Sequence, residues 1–366
     1  MREREFLVIL NLVRGLGPVR IRNLIAHFGS ASEVLLQPVS ALTRVGGIGS
    51  RLAGAIRNWE KLEYREEFRL IEKLNLEVLT VFDPEYPKNL KEIYDPPVVL
   101  YLMGSLIPED KPALAVVGSR RASRYGLQAA RKLSGEIAGR GFTVVSGLAR
   151  GIDTEAHRGA LAAGGRTVAV LGSGLANIYP GENRELAEAI AASGAVISEF
   201  PVRAVPERQN FPLRNRVVSG LSLGTVVVEA AERSGALITA RLAMEQGRPV
   251  MAVPGRIDSY SARGTNALIR DGAKMISGIE DILGEFEYLF PEHRPGASAR
   301  PPAPPCRDNL SPGEKLVYDA LEEEELDMER LLARTGLPSP ALTAALFSLE
   351  IKRLVRRLPG KVFIRA

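Results

Sequence analysis

Residues 113–146 read ALAVVGSRRASRYGLQAARKLSGEIAGRGFTVVS. Ala113–Val117 is a short apolar run that ends on a glycine turn. Tyr125–Ala138 then spaces its apolar residues for one face of a helix, and Phe142–Val145 is apolar again. Outward from this unit the rhythm continues as helix Thr154–Ala163, strand Thr167–Leu171, helix Glu185–Ala192 and strand Ala195–Ser198. Helix Leu213–Leu221, strand Thr225–Val228, helix Leu237–Gln246 and strand Val250–Val253 follow, then helix Asn266–Arg270 and a short strand at Met275–Ile276. Strands that are nearly all apolar and strictly alternate with helices specify a parallel sheet covered on both faces. With right-handed crossovers the result is a doubly wound, Rossmann-like α/β domain.

The flanks read differently. Phe6–Leu79 is helical in pattern and carries a weak repeat: Leu12–Arg20 leads into Ile21–Phe28, and Leu42–Arg51 leads into Leu52–Ile56. Each unit is a helix, a Gly-hydrophobe-Gly turn and a second helix, and the turn leaves helix-start amides open. The pattern resembles a tandem helix-hairpin-helix (SAM-like) module, which commonly holds DNA backbone phosphates; an αα-hairpin used only for packing fits it as well. Asp83–Pro108 is a Pro-rich connector around Val98–Met103, expected as an edge strand. Phe290–Asn309 holds six prolines and reads as a semi-rigid linker. Leu310–Ala366 has helices at Gly313–Glu322, Asp327–Thr335 and Ser339–Lys352, then a hairpin over Leu354–Ile364 that turns at Pro359-Gly360. That is the winged-helix plan, whose third helix usually reads duplex DNA. Here the third helix has no cation before Lys352, which favours a protein partner for it. The expected organisation is therefore a small all-α domain over 1–80, the α/β domain with its connector over 81–289, a linker over 290–309 and a C-terminal winged-helix domain over 310–366.

Composition bounds the function. A chain of 366 residues suggests two or three domains, and 45% hydrophobic with 25% charged residues is the usage of a soluble globular protein. No apolar run approaches the ~18–20 residues of a membrane span, and Met1–Glu5 is too mixed in charge for a secretory signal. No membrane association is expected. Cys306 is the only cysteine and there are three histidines, so no internal disulfide and no Cys/His metal module is expected, and a reducing cytoplasm is the expected compartment. The cations are 38 Arg against 10 Lys within a net charge of +5. Arginine's planar fork suits phosphate, although codon usage in a GC-rich genome produces the same bias.

In open α/β sheets the crevice lies beyond the strand C-termini, so those loops carry the chemistry. Val117–Gly126 is neither Gly-x-Gly-x-x-Gly nor a Walker loop, which argues against a nicotinamide dehydrogenase or a P-loop ATPase and against a bound cofactor. It is a Gly118-Ser119 turn at a helix start with Arg120, Arg121 and Arg124, an anion site reinforced by charge. Ser146–Asp153 with Arg150 and the turn Gly172-Ser173-Gly174 repeat the theme. So do Phe211–Arg216 after Arg208, the Ala230–Ala236 loop with Ser234 and Gly235, and Pro254-Gly255-Arg256. Catalytic pairs are scarce. Asp153 and His157 stand at i and i+4, as a couple or as a helix-capping Asp beside a satisfied His.

Val117–Arg120, Ser146–His157, Phe211–Arg216, Val228–Ala230, Ser234–Ala240 and Gly264–Ala273 together resemble the DNA-processing protein A (DprA/Smf) family, in order and across the whole central domain. The resemblance implies single-stranded DNA binding, loading of the RecA recombinase onto that DNA, a role in natural transformation, and a homodimer formed through the central domain. With no Walker loop and Glu229 displaced, no catalytic residue and no enzymatic activity is expected. Gly118, Ser119, Arg120, Arg121, Arg150, Arg208, Phe211, Arg214, Asn215, Arg216, Ser234 and Gly235 are then the expected DNA contacts, with Arg120, Arg208, Phe211 and the Ser234-Gly235 turn foremost. The arginines neutralise phosphates, and Phe211 offers a face to an unpaired base. Internal ion pairing of Arg214 and Arg216 to Glu199 or Glu229, and a core role for Phe211, are the competing readings. The rival function is a nucleoside-monophosphate phosphoribohydrolase on the same sheet. Its Pro-Gly-Gly-x-Gly-Thr-x-x-Glu loop is matched here only by Ser219–Glu229, which lacks Pro-Gly-Gly and places Glu229 one residue late.

Overall fold

The structure is a computed structural model that describes residues 1–286, 310–321, 326–352, 354–358 and 362–365. It opens with α1 (Glu3–Leu12), α2 (Pro18–Phe28), α3 (Ala31–Leu36), α4 (Val39–Leu42), α5 (Ser50–Arg57) and α6 (Tyr64–Lys73). Local chemistry sets several of these starts. Pro18 occupies the first turn of α2, where its missing N–H costs nothing, and the Ser30 hydroxyl accepts the Glu33 amide to cap α3.

The next elements are β1 (Glu77–Thr80), α7 (Lys88–Lys91), β2 (Val99–Gly104), β3 (Ala113–Val117), α8 (Arg124–Gly139), β4 (Thr143–Ser146), α9 (Ile152–Ala162) and β5 (Thr167–Val170). Then come α10 (Arg184–Ser193), β6 (Ala195–Ser198), α11 (Asn210–Leu221), β7 (Gly224–Val227), α12 (Gly235–Glu245), β8 (Val250–Ala252), α13 (Arg263–Arg270), β9 (Lys274–Met275) and α14 (Ile279–Phe286). The nine strands form one sheet in the order β1-β2-β6-β5-β4-β3-β7-β8-β9. From β6 to β9 across the sheet all neighbours are parallel. Within this parallel part strand numbers climb outward in both directions from β3, so the crevice opens where the loops of β3 and β7 part.

Three expectations need correction. Glu77–Thr80 is a strand and not the end of a helical region, because four residues are too few for periodicity to separate the two. It pairs antiparallel with β2, Val78 opposite Tyr101, so β1 and not Val98–Met103 forms the outer edge. Helix α11 starts at Asn210 and not at Leu213, so Phe211 and Pro212 lie within it and not on a loop: Pro212 suggests a break, yet proline is tolerated in a first helical turn.

Alternating strand residues feed two cores. Leu114, Val116 and Val144 pack with Leu133, Ile137, Ala156 and Ala160 of α8 and α9. Ala115, Val145, Val168 and Val170 join a cluster with Val217, Val218 and Ala240 of α11 and α12, and this cluster runs on into Leu7, Leu10, Ile21 and Leu24 of the N-terminal helices. Polar contacts tie the same helices down. The Asn11 amide donates to Glu199 O at 3.0 Å, and the buried Glu67 carboxylate accepts the Val202 amide at 2.8 Å.

Contacts divide the chain into two compact units, Met1–Arg294 and Pro295–Ala366. The second contains α15 (Pro312–Ala320), β10 (Leu326–Asp327), α16 (Met328–Thr335), α17 (Ser339–Ile351), β11 (Val355–Leu358) and β12 (Val362–Arg365). Its three strands pair in the order β10-β12-β11, and Val317, Leu331, Leu342, Leu346, Leu349 and Phe363 fill its own core. Three helices and a small antiparallel sheet make a winged-helix fold, with β10 too short to be read from sequence. The Pro-rich linker core with Cys306 and the hairpin turn at Pro359-Gly360 lie outside the described residues.

Candidate nucleic-acid interface

The first wall of the crevice is the β3–α8 loop. Ser123 caps α8 by accepting the Gly126 amide at 3.1 Å. Glu229, just past β7 and buried, accepts the Ser123 amide at 2.9 Å and its hydroxyl at 2.5 Å, while Glu229 O accepts the Ser119 amide at 2.7 Å. Gly126 makes this possible, since a Cβ there would lie 2.4 Å from a Glu229 carboxylate oxygen. The loop is thereby pinned to β7, and Arg120 and Arg121 stand exposed on its rim.

The floor comes from β4 and α11. The Asp153 carboxylate accepts the amides of Gly147 and Ala149 at 3.2 and 3.3 Å and faces Arg214; burial raises its pKa, against the pull of that guanidinium. Arg214 is 4% exposed and donates to Gly147 O at 2.7 Å, to Val170 O and to the Asn215 side chain. Burial pushes its pKa down to about 10, so it stays cationic at neutral pH. The half-buried Phe211 ring lies beneath two guanidinium carbons, Arg120 at 5.1 Å and Arg214 at 5.9 Å from its centroid, with the Tyr179 ring 5.8 Å away.

These groups enclose a crevice of about 660 Å³ that gathers Gly118, Ser119, Arg120, Arg121, Phe211, Arg214, Asn215, Ser234 and Gly235 from three separate segments. Arg150 stands at an adjoining recess with Arg120, Tyr179 and Phe211, its guanidinium forked onto Glu182 at 2.7 and 2.8 Å. Arg208 is exposed but does not line the crevice, and Arg256 turns to Asp258. Arg216 is a correction. It is 6% exposed and held by Glu199 at 2.5 Å and Asp95 at 2.9 Å beneath the crevice wall, so it braces the fold and cannot meet a ligand.

Arg233, Tyr179 and Tyr260 also border the crevice or its recess and were not picked out from sequence. Arg233 lies within the Ala230–Ala236 loop, where its charge is the signal; the two tyrosines stand in stretches without any motif. His157 and Asp153 form no couple. His157 is fully buried with Nδ1 2.7 Å from the Thr167 hydroxyl, and burial with the nearby Arg214 charge lowers its pKa to about 3. The Glu229 carboxylate is spent on Ser123 and is absent from the crevice lining, which removes the residue the phosphoribohydrolase reading needs. Among the described residues no His/Cys/Asp/Glu cluster could hold a metal, and no helix is long and apolar enough to cross a membrane.

The family model described as DNA recombination-mediator protein A matches residues 77–287, and the DprA winged helix domain matches residues 300–361. Protein Smf of Synechocystis sp. is 36% identical, covering 99% of each chain. The X-ray structure of DNA processing protein A from Streptococcus pneumoniae superposes with a TM-score of 0.69 at 34% identity, over 78% of this chain and 99% of that one. A Helicobacter pylori DNA processing protein A structure, described for its single-stranded DNA binding mode, gives a TM-score of 0.53 at 30% identity over 58% of this chain and 96% of its own. With a family model over more than half its length, a full-length relative, and the family's winged helix at its end, the chain belongs to the DNA recombination-mediator protein A (DprA/Smf) family.

Proposed function

We propose that the crevice grips single-stranded DNA and that the chain, as a homodimer through its central domain, delivers the RecA recombinase to that DNA during recombination and natural transformation in the cytoplasm. The observation that carries the reading is the pairing of Arg120 with Phe211 at the mouth of a crevice at the β3–β7 switch point. Exposed guanidiniums of Arg120, Arg121 and Arg233, with the Ser119 and Ser234 hydroxyls of the two turns, meet phosphates. Phe211, Tyr179 and Tyr260 offer ring faces that only an unpaired base reaches. The Helicobacter pylori relative, described as binding single strands, supports the ligand, and the family's description as a recombination mediator supports the step that follows.

The test is a titration of the full chain against single- and double-stranded oligonucleotides at two salt concentrations. Tighter binding of the single strand, weakening steeply with salt, is expected because arginine–phosphate contacts dominate. Equal affinity for duplex, or affinity unmoved by salt, would contradict the reading. RecA delivery is tested separately, by the rate at which RecA filaments nucleate on single strands with and without this protein.

A further inference from the structure

The net charge of the chain is concentrated in one short segment. Val13–Arg57 holds six arginines (Arg14, Arg20, Arg22, Arg44, Arg51 and Arg57), no lysine and one acid, Glu33, for a net +5. The whole chain also carries +5, so everything outside this segment sums to zero. Arg14, Arg20, Arg44 and Arg51 are exposed, and among the described residues none forms an ion pair.

The fold collects these charges on two copies of one turn. Leu16 N donates to Val13 O at 3.0 Å, and Ile48 N to Val45 O at 3.1 Å. Ile21 N donates to Gly17 O at 3.1 Å, and Ala53 N to Gly49 O at 2.9 Å. Gly15 and Gly47 have φ of +85° and +81°, and the residues before α2 and α5, Gly17 and Gly49, have φ/ψ of −80°/169° and −81°/168° with no side-chain cap. The sequence repeat is therefore a repeat of backbone geometry. The two turns also touch: Arg20 donates to Gly15 O at 2.9 Å, and its Nε lies 3.4 Å from where a Gly47 Cβ would stand. Arg14 adjoins the first turn, Arg44 and Arg51 bracket the second, and Arg20 spans both.

We propose that this arginine face binds the phosphate backbone of duplex DNA, as a second nucleic-acid site distinct from the crevice. Two equivalent turns side by side suit a ligand whose charges repeat, and guanidiniums suit phosphate. The only aromatic ring of Val13–Arg57 outside a histidine is Phe28, half-buried in the core cluster, so the face has no platform for an unpaired base and responds to charge density. That density favours duplex, with one charge per ~1.7 Å of axis. The crevice holds the single strand while this face holds adjacent or incoming duplex.

The test uses the full chain, a labelled blunt duplex and a labelled single strand, followed by anisotropy over a salt series. The variant R44Q/R51Q removes two cations that make no side-chain hydrogen bond among the described residues; R20Q is a second variant, read only if its melting point is retained. R158Q/R270Q, exposed on α9 and α13, changes the net charge equally and is the control. R44Q/R51Q should lower duplex affinity about tenfold or more and flatten the salt slope by roughly 2, with single-strand affinity within about twofold. Unchanged duplex binding, an equal loss in the control, or an equal loss for the single strand would overturn the proposal. Capture of phosphatidylserine vesicles with no duplex binding would overturn it too and assign the face to a membrane surface.

Discussion

Arg120 stands exposed with its guanidinium carbon 5.1 Å from the Phe211 centroid, while Arg216 is buried against Glu199 and Asp95. The two should fail in opposite ways. Arg120→Ala removes a charge-assisted phosphate contact without touching the core, and single-strand affinity should fall about 10- to 150-fold at an unchanged melting point. Arg121→Ala should cost less, since among the described residues that side chain meets no aromatic ring. Arg216→Ala leaves Glu199 buried without its cation and should cost about 3–5 kcal/mol of stability, with binding lost only as the protein unfolds. Melting curves beside the titrations separate the cases; normal binding by Arg120→Ala, or full stability of Arg216→Ala, would contradict the assignments. The sequence presents both residues as arginines in family motifs. The Arg216–Glu199 pair is the competing reading that the sequence itself offers, whereas the second partner, Asp95 on the connector, has no signal in the sequence.

At the scale of elements, the start of α8 decides whether the crevice has a rim. Its first turn is held by Ser123 from within and by Glu229 from the β7 loop, a carboxylate placed where helix-start amides favour a negative charge. Glu229→Ala leaves the Ser123 amide without its acceptor and should lower stability by about 1–3 kcal/mol in urea unfolding, with a smaller loss of single-strand binding than Arg120→Ala gives. Full stability in that variant would show that the loop is held otherwise. Release of base from AMP that vanishes in Glu229→Ala would revive the hydrolase. The parallel strands were legible because a strand buried on both faces is a continuous apolar run, and β3 begins and ends where that run does. β1, β10 and the first turn of α11 were not, being too short for a period or masked by Pro212.

For the whole molecule, every group lining the crevice falls between Val117 and Ser261, far from the winged helix in sequence. The C-terminal unit has its own core, and α17 exposes Thr343, Ala344 and Phe347 without a cation. Deleting residues 310–366 should leave single-strand affinity within about twofold, as for independent sites; a large loss would place DNA contacts on the winged helix. The N-terminal helices are a different matter, since they share the core of the sheet's antiparallel edge, a dependence that composition and local pattern did not display. The central claim, that the crevice receives an unpaired strand, is tested most directly by photo-crosslinking a single-stranded oligonucleotide carrying 5-iodouracil and mapping the adducts by mass spectrometry. The account predicts adducts on Phe211, Tyr179 or Tyr260, lost in Arg120→Ala. Adducts confined to Trp59, Tyr318 or Phe347, with the crevice rings unmarked, would contradict it.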